Sequence, residues 1–339
     1  MALPPGLTGP VQVALARAVE QIPHVGALPG GARFEPKWDG FRMVVTRDHS
    51  GARLWSRRGT ELTSTFPEIT SSASDQIEPG TVLDGEVVIW SGGRLDFAAL
   101  QTRMGRGPRS ATAHALRHPA SYAVFDVLVR AGRDIRSLPF DERRPLLEQL
   151  AAAWEPPLNL SPVTADRATA TQWFENYALV GIEGLVIKGG AQPYPAGQRG
   201  WLKVKHRTTL DVVCGAVIGT RSAPQQVVAG LPVEGALRIV GRTGPLSPPA
   251  RRALAEWLIA PAGEHPWPAQ VPPTALARFN ATQGPVDLTL VDPIVVEVSA
   301  DVAWDGQNFR HSLRFVRARP DTEVSSVTPP DRVGPSVAQ

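Results

Sequence analysis

Lysine is scarce in this 339-residue chain: of 35 basic residues only Lys37, Lys188, Lys203 and Lys205 are lysine, and the other 31 are arginine. A guanidinium stays protonated and planar, so arginine cannot replace lysine where a neutral amine must attack or a compact ammonium must meet a phosphoryl oxygen. The four lysines are therefore candidates for chemistry. Lys37 lies in EPKWDGFR (35–42), beside an aspartate, a glycine suited to a tight turn and an arginine near the start of a strand. A nucleophilic lysine must lose its proton near neutral pH, so the pKa of Lys37 is expected to fall, with Lys203 and Lys205 as the cations that lower it.

Alternation along strands groups further candidates. In WLKVK (201–205), Trp201, Lys203 and Lys205 share one face, so the two ammonium groups can converge on one phosphate, while Leu202 and Val204 face the other way. In LDGEVV (83–88), Asp84 and Glu86 share a face; beside a phosphate site, such carboxylates hold a metal or accept from a ribose hydroxyl. In EGLVIK (183–188), Glu183 and Lys188 fall on opposite faces and so have different parts to play. The seven histidines show no metal-ligand spacing, and Cys214, the single cysteine, excludes disulfides and zinc sites built on CxxC pairs.

The elements that must position these residues divide near residue 207. Residues 11–21, VQVALARAVEQ, read as a short helix stopped by Pro23. From Arg33 to about Trp90, short β runs (FRMVVTR, ARLWSRR, TVLDGEVVIW) alternate with Gly, Ser and Pro stretches, the pattern of antiparallel sheet. DFAALQTRM reads as a helix running into MGRGPRS, which is either a solvated turn or a phosphate-contacting arm; Arg106 and Arg109 of the loop, with Arg103 just before it, would then grip DNA. A strand YAVFDVLV, a helix DERRPLLEQLAAAW with Asp141 as N-cap and Leu146, Leu147 and Leu150 on one face, and a helix over 165–179 follow. Beyond 207, short strands (LDVVCGAVIG, GALRIVGR, PIVVEVS), Pro-rich loops and one helix, RRALAEWLI, suit a small β-barrel that Trp267 and Trp304 help to pack. The expected domains are 1–206, 207–322 and a polar, Pro-rich, disordered tail over 323–339.

In EPKWDGFR, the residues from Lys37 to Gly40 match the KxDG element of the covalent nucleotidyltransferases, and the remaining elements follow in that superfamily's order. SRRG (56–59), LDGEVV, YAVFDVL (122–128), EGLVIK, WLKVK and RHSLRFVRARPD (310–321) resemble those of ATP-dependent DNA ligases over roughly residues 30–321. The resemblance implies an α+β protein: an antiparallel-sheet, ATP-grasp-like nucleotidyltransferase domain followed by an OB-fold barrel. It implies that Lys37 is the nucleophile that takes AMP from ATP, with Lys203 and Lys205 as catalytic cations. Phe125, by spacing alone a core residue, would stack on adenine, with Val186 or Ile187 on the opposite face. The main chain around Glu35 would read the adenine amino group, and Arg42 and Glu86 would bind the ribose. Arg57 or Arg58 would bind the 5′-phosphate of a nick, Lys188 would join the nucleotide contacts, and Arg314 and Arg317 would orient the departing pyrophosphate. Glu183, Glu86 and Asp321 would serve magnesium, or manganese in its place, since carboxylates and phosphoryl oxygens are hard ligands. Many ligases follow that aspartate with lysine, whereas this chain has Thr322.

Charge and composition agree with a polyanionic partner without requiring one: net charge +3, with 42% hydrophobic residues. No run reaches the roughly 20 apolar residues of a membrane span, and no signal peptide is recognisable, so a cytoplasmic protein at the bacterial nucleoid is expected. The expected substrate is nicked duplex DNA, the expected partner a repair polymerase or end-binding protein, and the expected state a monomer. A GTP-dependent capping enzyme, an RNA ligase, an NAD-dependent ligase and an inactive nucleic-acid adaptor are the rivals. Cys214 alone cannot supply the zinc module usual in NAD-dependent ligases, and intact Lys37, Glu86, Glu183, Lys203 and Lys205 argue against an inactive adaptor.

Overall fold

The computed structural model describes residues 2–104, 107–233, 235–276, 284–301, 308–309 and 312–330, and divides into two units, Met1–His206 and Arg207–Gln339. The first unit opens with β1 (Ala16–Ala18), β2 (Ala32–Pro36), β3 (Phe41–Asp48), β4 (Gly51–Ser56), α1 (Pro67–Gln76), β5 (Thr81–Ser91), β6 (Arg94–Leu95), α2 (Phe97–Arg103) and α3 (Pro108–Arg117). It continues with β7 (Ala120–Arg130), β8 (Arg133–Asp134), α4 (Phe140–Ala151), β9 (Leu158–Leu160), α5 (Arg167–Tyr177), β10 (Gly184–Gly189) and β11 (Trp201–Lys205).

Two sheets carry this unit. One has the order β4-β3-β5-β7-β8, with β6 on β5 and β9 on β7; the other has the order β1-β11-β10-β2. Their strands are rich in β-branched and aromatic residues whose alternation sends one set into a core and the other toward the opposing sheet. Met43, Val45, Leu83, Val87 and Tyr122 pack under α1 and α4 in the larger core. On the second sheet, Phe34, Ile187, Leu202 and Val204 pack with Ala170 and Trp173 of α5. The faces left over, with Val44, Phe125, Trp201 and Tyr194, form a third core.

Three expectations change here. Residues 11–21 form no helix: Ala16–Ala18 is a strand lying parallel to β11 (Ala16 opposite Trp201, Ala18 opposite Lys203), and Leu3, Leu7, Val11 and Val13 are buried in the third core. Pairing with a strand some 185 residues away overrides the local helical pattern. Asp141 is not an N-cap: Pro139 holds that position, and the Asp141 carboxylate accepts from Nε and Nη2 of Arg33 at 2.8 and 2.5 Å. Arg103 is not on an exposed arm. It is completely buried, ion-paired with Glu68, donating to the His118 carbonyl and lying over the Phe66 ring. Arg106 lies outside the described residues, and Pro108 already begins α3.

The second unit comprises β12 (Arg207–Gly219), β13 (Pro224–Val233), β14 (Ala236–Arg242), α6 (Pro248–Ala255), β15 (Gln270–Val271), β16 (Val286–Asp287), β17 (Thr289–Asp301) and β18 (Arg314–Ala318). Its main sheet is antiparallel, ordered β14-β13-β12-β17-β18. The edges curl together: Leu313 N donates to Arg242 O at 3.0 Å and Gly244 N to Leu313 O at 2.8 Å, making a half-barrel. Cys214 sits in this core, where burial pushes its thiol up to about 12, and Trp267 donates through Nε1 to Leu237 O while its ring is buried. Trp304 lies outside the described residues. Residues 323–330 are ordered rather than tail-like: Val324–Ser326 forms a 3-10 turn and Val327 is buried in the half-barrel core. Residues 331–339 lie outside the described residues.

Candidate active site

Between the two sheets of the first unit lies a cleft of about 170 Å³, lined among others by Glu35, Lys37, Trp38, Arg42, Arg57, Glu86, Phe125, Val186, Trp201 and Lys203. Strand pairing explains the convergence. Glu35, Val186 and Lys203 are cross-strand partners in β2, β10 and β11, so the three share a face, with Val186 between the two charges. On the facing sheet Arg42 of β3 is opposite Glu86 of β5.

Phe125 faces the cleft, on the side opposite Tyr122 and Val124, and the alternation breaks at this point of β7. Along β5 and β7, Asp84 is opposite Asp126 but Gly85 is opposite Val124, which leaves Phe125 as the extra residue of a β-bulge. As a result Val124 and Val127 face the larger core while Phe125 and Leu128 face the third. Bulges re-aim side chains in this way, and no period-2 reading of YAVFDVL reveals one. Of the two residues considered for the other side of the ring, Val186 lines the cleft and Ile187 is buried against α5.

Lys37 sits just past β2, held by main-chain bonds to the start of β10: its N–H donates to Gly184 O at 2.8 Å, and Glu183 N donates to Lys37 O at 3.0 Å. Gly40 is required for this turn because a Cβ there would stand 2.1 Å from the Val87 carbonyl oxygen. Lys37 Nζ lies 2.6 Å from Glu183 Oε2, and Lys205 Nζ lies 3.1 Å from the same oxygen. The expected fall in the Lys37 pKa is reversed in this arrangement. Burial works against the ammonium, but Glu183, Glu86 and Asp39 outweigh it and raise the pKa. The amine with a lowered pKa is Lys203, through burial and its neighbours Lys37 and Lys205. Burial pushes the Glu86 carboxyl up to about 7, against the pull of Lys37 and Arg42.

Arg42 is gripped by Asp84 through Nε and Nη2 at 2.6 and 2.5 Å, and its guanidinium lies 4.7 Å from the Phe125 ring centre. Arg57 lines the cleft, and Arg58 is exposed outside its lining. Lys188 does not line the cleft. Its buried Nζ donates to Phe125 O at 2.8 Å, pairs with Glu35 at 2.9 Å and Asp126 at 3.5 Å, and lies within 5 Å of the Phe125, Phe140 and Trp201 ring centres. It therefore supports the floor of the cleft rather than touching its contents.

In the second unit Arg314 and Arg317 are exposed, with Arg317 paired to Glu297 at 2.7 Å. Asp321 is paired with Arg319 at 3.3 Å, and that hydrogen-bonded pair holds its carboxyl below the usual range. Arg310 lies outside the described residues. Among the described residues no three His, Cys, Asp or Glu side chains form a preassembled metal site. Several cleft residues escape sequence reading. Ala14, Leu15 and Ala16 form a wall of the cleft, and Trp38 is fixed by a 3.0 Å bond from Nε1 to Ser161 Oγ.

A family model described as "ATP dependent DNA ligase domain" matches residues 13–205, from this wall to Lys205. The chain belongs to the ATP-dependent DNA ligase family. This ligase is 34% identical to DNA ligase C2 of Mycolicibacterium smegmatis, over 94% of this chain and 93% of that protein. It is 31% identical to the multifunctional non-homologous end joining DNA repair protein LigD of Mycobacterium tuberculosis, over 87% of this chain and 37% of that one. A solved Lig E DNA ligase shares the fold of the ligase with a TM-score of 0.54 at 17% identity, covering 90% of this chain and 99% of that one. No helix among the described residues is long and apolar enough to cross a membrane.

Proposed function

We propose that Lys37 carries AMP and that this ATP-dependent DNA ligase uses the adenylated lysine to seal nicks between a 5′-phosphate and a 3′-hydroxyl in duplex DNA. The observation that carries the reading is the placement of Lys37 Nζ in the cleft, on Glu183 and between the sheets that present Phe125 and Lys203. Once its proton is lost, the amine attacks the α-phosphorus of ATP, a P–N bond forms, and pyrophosphate leaves with the broken P–O bond. An oxygen of the nick's 5′-phosphate then displaces Lys37 from AMP, and the adjacent 3′-hydroxyl attacks that phosphate, releases AMP and gives up its proton. Each step is phosphoryl transfer, governed by positioning and charge.

Phe125 and Val186 would sandwich the adenine, Arg42 and Glu86 would meet the ribose, and Arg57 would meet the nick phosphate. Lys203, whose amine has a lowered pKa, and Lys205 would neutralise phosphoryl charge, and Arg314 and Arg317 would orient pyrophosphate. The hard carboxylate oxygens of Glu183 and Glu86 suit magnesium or manganese, and Asp321 would assist them from the second unit. Such an ion would supply charge neutralisation at the phosphates. The curled antiparallel sheet of the second unit supports an OB-fold. A role in repair beside a polymerase or end-binding protein, and action as a monomer, complete the reading.

The test is incubation with α-labelled ATP or GTP and magnesium followed by denaturing electrophoresis, for wild type and Lys37→Ala. Label from ATP alone that is lost in the variant is the expected result. No label from protein freed of AMP would overturn the assignment.

A further inference from the structure

The two sheets that wall the cleft are tied together by a residue outside the motifs that identify the family. Tyr194 lies in the loop between β10 and β11 and is 5% exposed. Its hydroxyl donates to Asp84 Oδ2 at 2.5 Å, in the middle of β5, and accepts from Ala14 N–H at 3.0 Å, in the N-terminal segment. Asp84 is the carboxylate that grips Arg42 through two nitrogens. Burial raises the Tyr194 pKa well above its ordinary value, so the hydroxyl keeps its proton and remains a donor. One oxygen thus joins the wall Ala14–Ala16 to the guanidinium lying over Phe125.

Elsewhere the N-terminal wall is hydrogen-bonded through its main chain, with its apolar side chains packed in the third core. Leu15 N donates to Gln198 O at 2.8 Å, Trp201 N to Leu15 O at 3.2 Å, and Gly197 N to Val13 O at 3.1 Å. These bonds attach the wall to the smaller sheet and its loop. The Tyr194 hydroxyl reaches across to the larger sheet, and the ring is fixed edge-on to Trp201 at 5.7 Å between centres. The unusual feature is the combination of a buried carboxylate, a charge-assisted hydroxyl bond and a cleft-lining guanidinium in one chain of contacts. A carboxylate that accepts from both Arg42 and Tyr194 has its oxygens directed, and so Arg42 is confined to one orientation.

We propose that Tyr194 is a positioning residue for nucleotide binding: it acts through Asp84 to fix Arg42 and through Ala14 to fix the N-terminal wall at the spacing a nucleotide requires. This rests on the cleft being the ATP site. Tyr194→Phe keeps the ring and its packing and removes only the hydroxyl. The rival is a purely structural tie whose loss lowers stability and leaves the site as it was.

The test is a double-mutant cycle on ATP binding, made in Lys37→Ala protein so that no covalent step intervenes and read by calorimetry. Tyr194→Phe is expected to weaken ATP binding about tenfold, the scale of one charge-assisted hydrogen bond. Arg42→Ala is expected to weaken it as well, and the double variant to be scarcely weaker than Arg42→Ala alone. Tyr194→Ala, which also removes the ring, keeps the question answerable if the hydroxyl change is small: its effect too must shrink in the Arg42→Ala background. Unchanged affinity with a lower melting temperature, or additive effects in the cycle, would overturn the proposal. Lys37→Ala protein that binds no ATP at all would instead bring down the assignment of the cleft.

Discussion

The ammonium of Lys37 and the carboxylate of Glu183 are 2.6 Å apart, so the lysine is held as a cation by this anion. Replacing Glu183 with Gln removes the largest of the charges that oppose burial and leaves only Glu86 and Asp39 against it. In metal-free protein, acylation of Lys37 followed against pH by mass spectrometry should therefore show its midpoint at lower pH in Glu183→Gln than in wild type. An unmoved midpoint would mean that the pair does not control the charge of Lys37.

Glu86 gives a second pH dependence, of known sign. Its carboxyl is raised from 4.5 to about 7. Between those values the folded protein holds a proton that the unfolded chain has lost, so this group makes stability fall as pH rises through the window. The melting temperature of the nucleotide-free protein should decline from pH 5 to 7.5, and Glu86→Gln should flatten that decline. A slope identical in the two proteins would contradict the raised carboxyl.

Arg103 predicts a separation of stability from DNA binding. It is buried on Glu68, whose Oε1 also accepts from Ala120 N at 3.0 Å, so truncation strands a carboxylate under α1. Arg103→Ala should cost about 3 kcal/mol in denaturant unfolding. The salt dependence of DNA affinity in the folded fraction should stay as in wild type, because no phosphate contact is removed. A shallower salt slope would restore Arg103 to the interface.

Lys188→Met should remove the shared partner of Glu35, Asp126 and the Phe125 carbonyl. Breaking such a cluster from one side costs about 3–5 kcal/mol. Glu35, already raised chiefly by burial, can take up a proton and bring the loss toward the lower end. Unfolding curves at pH 5 and pH 8 should then differ more for the variant than for wild type, with the larger loss at pH 8.

What the sequence disclosed and what it withheld divide by distance along the chain. That Lys37, its carboxylate neighbours and the two lysines of β11 gather at one cleft was legible because motif order and strand alternation are local properties. Arg103, Lys188 and the strand at 16–18 were misread because each depends on a distant partner. Glu68 and Phe66 enclose the first, Glu35 and Asp126 neutralise the second, and β11 turns an amphipathic segment into an edge strand. Phe125 illustrates a subtler limit: its reading as a site residue came from resemblance, and the bulge beside it, which returns Val127 to the larger core, leaves no mark in hydrophobic periodicity.

The lysine distribution makes the cleft separately addressable. Apart from the α-amino group, a reagent that acylates amines meets three lysines at or beside one cleft and a fourth sealed beneath it. The untreated chain thus carries its own footprinting probe. The extent of modification at Lys37, Lys203 and Lys205, read peptide by peptide, reports occupancy of the cleft with no tag, no engineered cysteine and almost no background from other lysines.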